Sequence, residues 1–117
     1  MTPQESVQSE EIKVQVRDAE LDGILSIPEG ARSIVAFAHG SGSSRHSPRN
    51  QSVAETLNKQ GLATLLFDLL TQEEHEVDMQ TRELRFDIGL LASRLIGAVD
   101  WLQEDDRTKD LKIGLFG

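Results

Sequence analysis

Two nearly continuous apolar runs, separated by a helical segment, constrain the fold of this chain more than any other feature. The first run covers residues 33–38 and the second covers residues 62–67. Continuous apolar character, rather than alternation, is typical of a strand covered on both faces, as in a parallel sheet. Two such strands joined by a helix form a βαβ unit. The chain is therefore predicted to be an α/β protein with a central parallel strand pair.

The segment between the two runs carries the signals of a helix start and a helix end. Ser47 can accept a hydrogen bond as the N-cap, and Pro48 suits the first helical position because its missing N–H costs nothing there. Gly61 follows the last apolar residue of the period, where glycine ends many helices. These signals predict a helix over residues 48–60.

The N-terminal part of the chain predicts a polar tail and an antiparallel hairpin. Residues 1–9 are polar and aperiodic, which is typical of a disordered tail. Alternating apolar residues on both sides of a short polar turn predict two antiparallel strands over residues 12–27. Gly23 lies inside the second of them and favours a weak point or a bulge. One domain is expected over residues 10–117.

The C-terminal part predicts an exposed loop, a long helix and a fifth strand. Residues 72–78 are acidic without an apolar period, which indicates a solvated loop. Apolar residues recur every three or four positions over residues 82–103, with Arg94 off the stripe, and this period predicts an amphipathic helix. The stripe consists of Leu84, Ile88, Leu91, Leu95, Val99 and Leu102. Residues 111–116 have the character of a strand.

The overall composition excludes several classes of partner. Twenty acidic residues stand against twelve basic ones, a formal net charge of -8, which argues against binding to nucleic acid or to an anionic membrane surface. Cysteine is absent, so disulfides and thiolate chemistry are excluded. The first residues form neither a basic nor an apolar targeting segment. We therefore expect a cytoplasmic protein.

The candidate functional feature is the loop over residues 39–44, which reads His-Gly-Ser-Gly-Ser-Ser. It follows the first apolar run, and open α/β sheets bind ligands where strand ends meet such loops. Gly40 and Gly42 flank Ser41 and allow the backbone N–H groups to approach a ligand closely. Such N–H groups are suited to stabilising a developing negative charge on oxygen, although a plain strand-to-helix turn has the same sequence character.

The order of these elements resembles the first half of an α/β-hydrolase of the dienelactone hydrolase-like group. The resemblance begins near residue 10 and includes the hairpin, the strand ending at the His39 loop, residues 62–68, the long helix with Asp100-Trp101-Leu102, and residues 111–117. It implies a partial α/β-hydrolase fold, in which an N-terminal β-hairpin is followed by parallel βαβαβ strands with two main helices.

The resemblance also implies roles for particular residues. In that family the loop after the third strand supplies one N–H of the oxyanion hole, which corresponds here to Ser41, shaped by Gly40 and Gly42. Gly117 corresponds to the first glycine of the Gly-x-Ser-x-Gly turn that carries the nucleophile. The family's serine, acid and histidine all follow that glycine, so the chain as given lacks the triad and is expected to be inactive alone. No metal or organic cofactor is implied, and the expected substrate is a small acyl compound such as an ester or a lactone.

A triad assembled from Ser41, His39 and Asp68 is disfavoured. Nucleophilic catalysis needs a base in contact with the nucleophile and an acid on the base's other side, which two neighbours in one loop rarely provide. His39 is expected to hold the loop by hydrogen bonds. Asp68, which follows the second apolar run, is expected either to brace a neighbouring loop or to line the site.

Other polar and aromatic residues have ordinary explanations beside functional ones. His75 lies among acidic residues, but no second histidine stands at a ligand spacing, so a solvated surface is favoured over a metal site. His46, with Arg45 and Arg49, could attract an anionic group, but simple solvation is the favoured explanation of these residues. Trp101 is expected to pack against the apolar stripe.

Two further function classes stay open. A small phosphate-binding module would use residues 40–44 at a helix N-terminus, but Arg45 stands where a dinucleotide motif requires glycine, and no Gly-Lys-Ser/Thr sequence occurs. A non-catalytic interaction protein would use the unpaired edge of the last strand, which predicts self-association or complementation by a second chain.

Overall fold

The computed structural model describes residues 7–17, 19–37, 47–84 and 87–116. These parts of the chain form five strands and three helices. In chain order they are β1 (Val7–Gln15), β2 (Glu20–Pro28), β3 (Ser33–Phe37), α1 (Pro48–Lys59), β4 (Ala63–Phe67), α2 (Gln72–Thr81), α3 (Ile88–Glu104) and β5 (Lys112–Phe116). None of the helices in the described ranges is long and apolar enough to cross a membrane.

The strands form one mixed sheet in the order β1-β2-β4-β3-β5. β1 pairs with β2, and β2 with β4, in antiparallel fashion. β3 lies between β4 and β5 and is parallel to both. The predicted α/β class, with a hairpin leading into a parallel sheet, is therefore confirmed, as is the central position of β3.

The two faces of the sheet bury separate apolar clusters because side chains alternate between the faces along each strand. On one face, Ala98 and Leu102 of α3 pack on the larger cluster. Its strand and turn members are Val14, Val16, Leu21, Leu25, Ile34, Ala36, Ala63, Leu65 and Phe67. On the other face, Ala54 of α1 packs with Phe37 and Leu66. The helices α1 and α3 thus cover opposite faces, which explains why β3 and β4 are apolar at nearly every position.

Helix α1 has nearly the predicted bounds. The Ser47 side chain accepts a hydrogen bond from the Asn50 backbone N–H at 3.5 Å, and Pro48 occupies the first turn. Gln60 is the C-cap, and Gly61 follows it with a φ of 88°. Residues other than glycine rarely adopt that conformation, so Gly61 ends the helix as expected.

The predicted loop over residues 72–78 is wrong, since these residues belong to helix α2. Thr71 accepts a hydrogen bond from the Glu74 backbone N–H at 3.2 Å, and the Glu74 carboxylate accepts one from the Thr71 backbone N–H at 2.9 Å. This reciprocal capping box satisfies two donors at the helix start. A helix can therefore form here without an apolar stripe.

The predicted start of the long helix is also wrong. Arg82 ends α2 in a left-handed conformation with a φ of 59°. Asp87 is the N-cap of α3 and accepts a hydrogen bond from the Leu90 backbone N–H at 3.0 Å. The apolar period begins at Leu84, before the N-cap of α3, which is why the sequence alone placed the helix start about six residues too early.

Two expectations for the hairpin also need correction. β1 begins at Val7, so residues 7–9 are strand rather than tail, whereas residues 1–6 lie outside the described residues. The β1–β2 register is continuous from Val7 opposite Pro28 to Gln15 opposite Glu20, which leaves no bulge at Gly23. Instead, a Cβ at Gly23 would lie 3.2 Å from the Leu66 carbonyl oxygen, so glycine permits close approach to β4.

Candidate functional site

The strand order reverses at β3, and this reversal defines the candidate site. The chain leaves β3 through α1 to reach β4 on one side, and it returns through α2 and α3 to β5 on the other side. Because α1 and α3 cover opposite faces, the carboxyl ends of β3 and β5 are where a ligand crevice is expected. Open α/β sheets bind their ligands at such a reversal.

Two aromatic rings fix the spacing of the strand ends at this reversal. Phe37 ends β3 and is paired in register with Phe116, which ends β5. Their ring centroids are 5.1 Å apart at an interplanar angle of 47°, within the range of favourable aromatic contacts. The chain therefore continues from neighbouring points at one edge of the sheet into residue 38 and into residue 117.

Most of the predicted site residues lie outside the described residues. This applies to the proposed oxyanion-hole residues Ser41, Gly40 and Gly42, to His39, and to Gly117. The structure brings together the strand ends that precede them, but it leaves their roles as predictions.

Asp68 is described, and it lies at the carboxyl end of β4, as predicted. Its backbone N–H donates to the Asp22 carbonyl oxygen at 3.0 Å, which extends the contact between β4 and β2 by one residue. The side chain is partly buried. Asp68 therefore borders the same edge of the sheet as the loop that follows β3.

The other residues that the sequence singled out do not lie together in the described parts of the fold. His75 lies in α2, and Arg49 lies exposed in the first turn of α1, whereas Arg45 and His46 are outside the described ranges. Trp101 packs against the larger core cluster, as expected. Among the described residues, no group of three or more His, Cys, Asp or Glu side chains is arranged to hold a metal ion.

A partly buried ion pair beside this end of the sheet was not predicted from the sequence. Arg94, predicted to lie off the apolar stripe, is only 3% exposed, whereas Ile88, predicted to lie on it, is 73% exposed. The Arg94 guanidinium donates to both carboxylate oxygens of Glu74, at 2.7 and 2.8 Å. The Thr-x-x-Glu spacing of the capping box is the one sequence signal that marks Glu74.

This pair changes the titration of its carboxylate. The hydrogen bond from Arg94 lowers the pKa of Glu74 below its ordinary value, against the opposing effect of burial, and the Thr71 N–H lowers the pKa further. Hydrogen bonds to the charged form of a carboxylate favour that form. Glu74 is therefore ionised when it is paired with Arg94 at neutral pH.

The hairpin, the strand order and the helices on opposite faces define the class as the N-terminal portion of an α/β-hydrolase fold. The dienelactone hydrolase from Anabaena variabilis is 62% identical, with a TM-score of 0.93 over 96% of this chain and 52% of that chain. The Pyrococcus furiosus esterase PF2001 is 24% identical, with a TM-score of 0.70 over 98% of this chain and 43% of that chain, which supports the fold alone. The chain thus matches the N-terminal half of a dienelactone hydrolase-like α/β-hydrolase in sequence and in fold.

This chain covers only part of the length of the proteins that it matches. It spans about half the length of the Anabaena enzyme. The sequence is 51% identical over 111 residues to a Mycobacterium tuberculosis protein named "Putative phosphoribosyl transferase Rv0571c". That match covers 95% of this chain and 24% of the mycobacterial protein. No protein-family model matches the sequence. The mycobacterial name therefore describes a protein about four times as long as the matched segment.

Proposed function

We propose that this chain is the N-terminal portion of a serine hydrolase that acts on an ester, a lactone or a similar acyl compound. The observation that carries the proposal is the pairing of Phe37 with Phe116 at the strand-order reversal. It brings the start of the loop after β3 next to the point where the chain leaves β5. The 62% identity to a dienelactone hydrolase supports the same chemistry.

In the proposed mechanism, the backbone N–H of Ser41 is one donor of the oxyanion hole, and Gly40 and Gly42 shape the turn around it. Attack of a serine on an acyl carbon places negative charge on the carbonyl oxygen, and N–H donors held in a fixed geometry stabilise that charge. In the family, the nucleophile lies two residues beyond the glycine that corresponds to Gly117. The activity is proposed for the protein that includes those later residues, rather than for residues 1–117 alone.

The oxyanion-hole proposal is tested in a hybrid enzyme that joins this chain to the remaining half of the Anabaena hydrolase. We expect the hybrid to hydrolyse 4-nitrophenyl esters. Ser41→Pro removes the backbone N–H and should lower kcat by about 10²- to 10³-fold, the usual effect of losing one oxyanion donor.

Ser41→Ala is the matched control because it keeps the N–H and removes only the hydroxyl. Its kcat should stay close to that of the unsubstituted hybrid. Equal losses in the two variants would contradict the assignment of the N–H and would point to the Ser41 side chain instead.

The phosphoribosyl transferase name of the mycobacterial relatives does not favour a phosphate-binding function for this chain. The chain covers 24% of each of those proteins. Within the present sequence, no Gly-Lys-Ser/Thr motif follows the glycines of residues 40–42. Hydrolase chemistry is therefore the better-supported proposal.

We further propose that the outer edge of β5 receives another strand, either from the remainder of the hydrolase or from a second chain. Within the described residues, β5 pairs with β3 alone. Leu115 and Phe116 are 56% and 43% exposed. A free strand edge with apolar side chains is a template for strand addition.

A further inference from the structure

We infer that Arg94 is a positioning residue that fixes residues 68–71 as one wall of the substrate crevice. The inference rests on the proposed hydrolase function. It assigns to Arg94 an effect on substrate binding that is separate from its contribution to the stability of the fold.

Arg94 reaches across from α3 to the segment that leaves β4. One guanidinium nitrogen, Nη1, donates both to the Leu69 carbonyl oxygen at 3.1 Å and to Glu74 Oε1 at 2.7 Å, and Nη2 donates to Glu74 Oε2 at 2.8 Å. Paired hydrogen bonds between a guanidinium and a carboxylate fix orientation as well as distance. The segment between Leu69 and Glu74 is therefore held at both ends by one side chain.

Glu74 passes this constraint on to Thr71. Its Oε1 also accepts the Thr71 backbone N–H at 2.9 Å, and the Thr71 hydroxyl accepts the Glu74 N–H at 3.2 Å. The start of α2 and the residues before it thus form one hydrogen-bonded unit around the guanidinium. Losing Arg94 would release residues 69–71 while leaving the sheet intact.

The segment held in this way borders the proposed site. In the β3–β4 ladder Phe37 lies opposite Leu66, so residues 68–71 leave the sheet at the same edge as the loop after β3. The Asp68 N–H, bonded to Asp22, fixes the first residue of the segment. The wall therefore leaves the sheet next to the end of β3, after which the proposed oxyanion residues follow in the sequence. A displacement of the wall should change the affinity for the substrate more than the rate of the chemical step.

The effect of the pair on stability can be separated from its effect on position. Replacing a buried ion pair by apolar side chains of similar size is often neutral or stabilising, because both charges lose their hydration on burial. The pair does supply directional bonds to a carbonyl and a carboxylate, which an apolar contact cannot supply. This difference allows positioning to be separated from stability.

The test compares Arg94→Met with the double variant Arg94→Met/Glu74→Met in the hybrid enzyme. Arg94→Met should raise KM for 4-nitrophenyl butyrate by about tenfold and leave kcat within about threefold, the pattern of a lost binding interaction. In the double variant the melting temperature should recover only part of the loss, because no unpaired charge remains but the Glu74 bond to the Thr71 N–H is also gone, while KM stays raised. Arg94→Lys, which keeps the charge but loses the paired geometry, should give an intermediate KM.

Arg107→Met is the matched control. Arg107 pairs with Asp105 and Glu10 in the connection that follows α3, away from the wall, so KM should not change. A double variant that recovers both melting temperature and KM would overturn the positioning role, as would an unchanged KM in Arg94→Met. An inactive parent hybrid would instead overturn the proposed function, and this inference with it.

Discussion

At Gly97, helix α3 packs closely against Val16, which follows β1. A Cβ at this position would lie 2.7 Å from Val16 Cγ1 and 2.8 Å from Val16 Cβ. Non-bonded carbon atoms normally approach to about 3.5–4.0 Å, so only glycine allows this packing without a shift. The absence of a side chain at residue 97 thus sets the distance between α3 and the hairpin.

We expect Gly97→Ala to be less stable than Gly89→Ala by about 1–3 kcal/mol, the usual cost of overpacking. Both glycines lie in α3, so the gain in helix propensity enters both variants. The nearest atom to a Cβ at Gly89 is Asp87 Oδ1, at 3.7 Å, which is an ordinary contact. Urea unfolding measures the difference in the free energy of unfolding. Equal stabilities would show that the Val16 side chain can move away from the new Cβ with no loss of stability.

Helix α2 shows how an element forms without an apolar stripe. Its four acidic residues include Asp78, which is only 2% exposed, and its larger apolar residues Val77 and Met79 are exposed. The capping box and the Arg94–Glu74 pair hold its first turn in place. The stability of α2 therefore depends on the charge of Glu74.

This dependence predicts an acid-sensitive element. Because the folded-state pKa of Glu74 is lowered, its contribution is present above the unfolded-state value of about 4.3 and is lost as the pH falls through the folded-state value. Glu74→Gln should cost about 1–3 kcal/mol at pH 7, the range for losing hydrogen bonds to a charged group.

The measurement is the unfolding free energy of both proteins as a function of pH. The gap between wild type and Glu74→Gln should begin to narrow near the unfolded-state pKa of about 4.3 and should close only as the pH falls through the lowered folded-state pKa, where the paired carboxyl also becomes neutral. Asp105→Asn is a useful comparison, because Arg107 likewise lowers the pKa of Asp105 by hydrogen bonding, but in an exposed connection. A gap that stays constant with pH would rule out the charge of Glu74 as its cause.

The sheet is covered on both faces at β4 but is exposed at β5. The two core clusters cover both faces of β4, whereas every residue of β5 is partly or fully exposed. The exposed apolar residues Leu115 and Phe116 lie at the carboxyl end of β5. Among the described residues, the sheet is therefore least covered on the β5 side.

If the β5 edge takes up another strand, Leu115→Lys should weaken self-association of the 117-residue chain by about tenfold, or about 1.4 kcal/mol. Charged side chains on a strand edge oppose edge-to-edge pairing. Sedimentation velocity over a range of concentrations measures the effect, with Leu115→Met as the apolar control. A wild-type chain that stays monomeric at all concentrations would contradict association between copies.

The sequence by itself determined the elements that depend on local patterns. The apolar runs of β3 and β4 and the caps of α1 give the βαβ unit, because continuous burial and helix capping are properties of short segments. The resemblance that followed from this order of elements led to the hydrolase class. Helix α2 was missed because the prediction weighed the apolar period of residues 72–78 and not the Thr71–Glu74 spacing.

Only the tertiary structure decided which distant residues meet. Arg94 pairs with a carboxylate twenty residues earlier, and Phe37 meets Phe116 from another strand. No local period encodes such contacts, since they follow from the order of strands in the sheet. Arginine on a helix is read as solvent-facing by default, because the cost of burying a charge is recovered only when a partner from elsewhere in the fold supplies the matching hydrogen bonds.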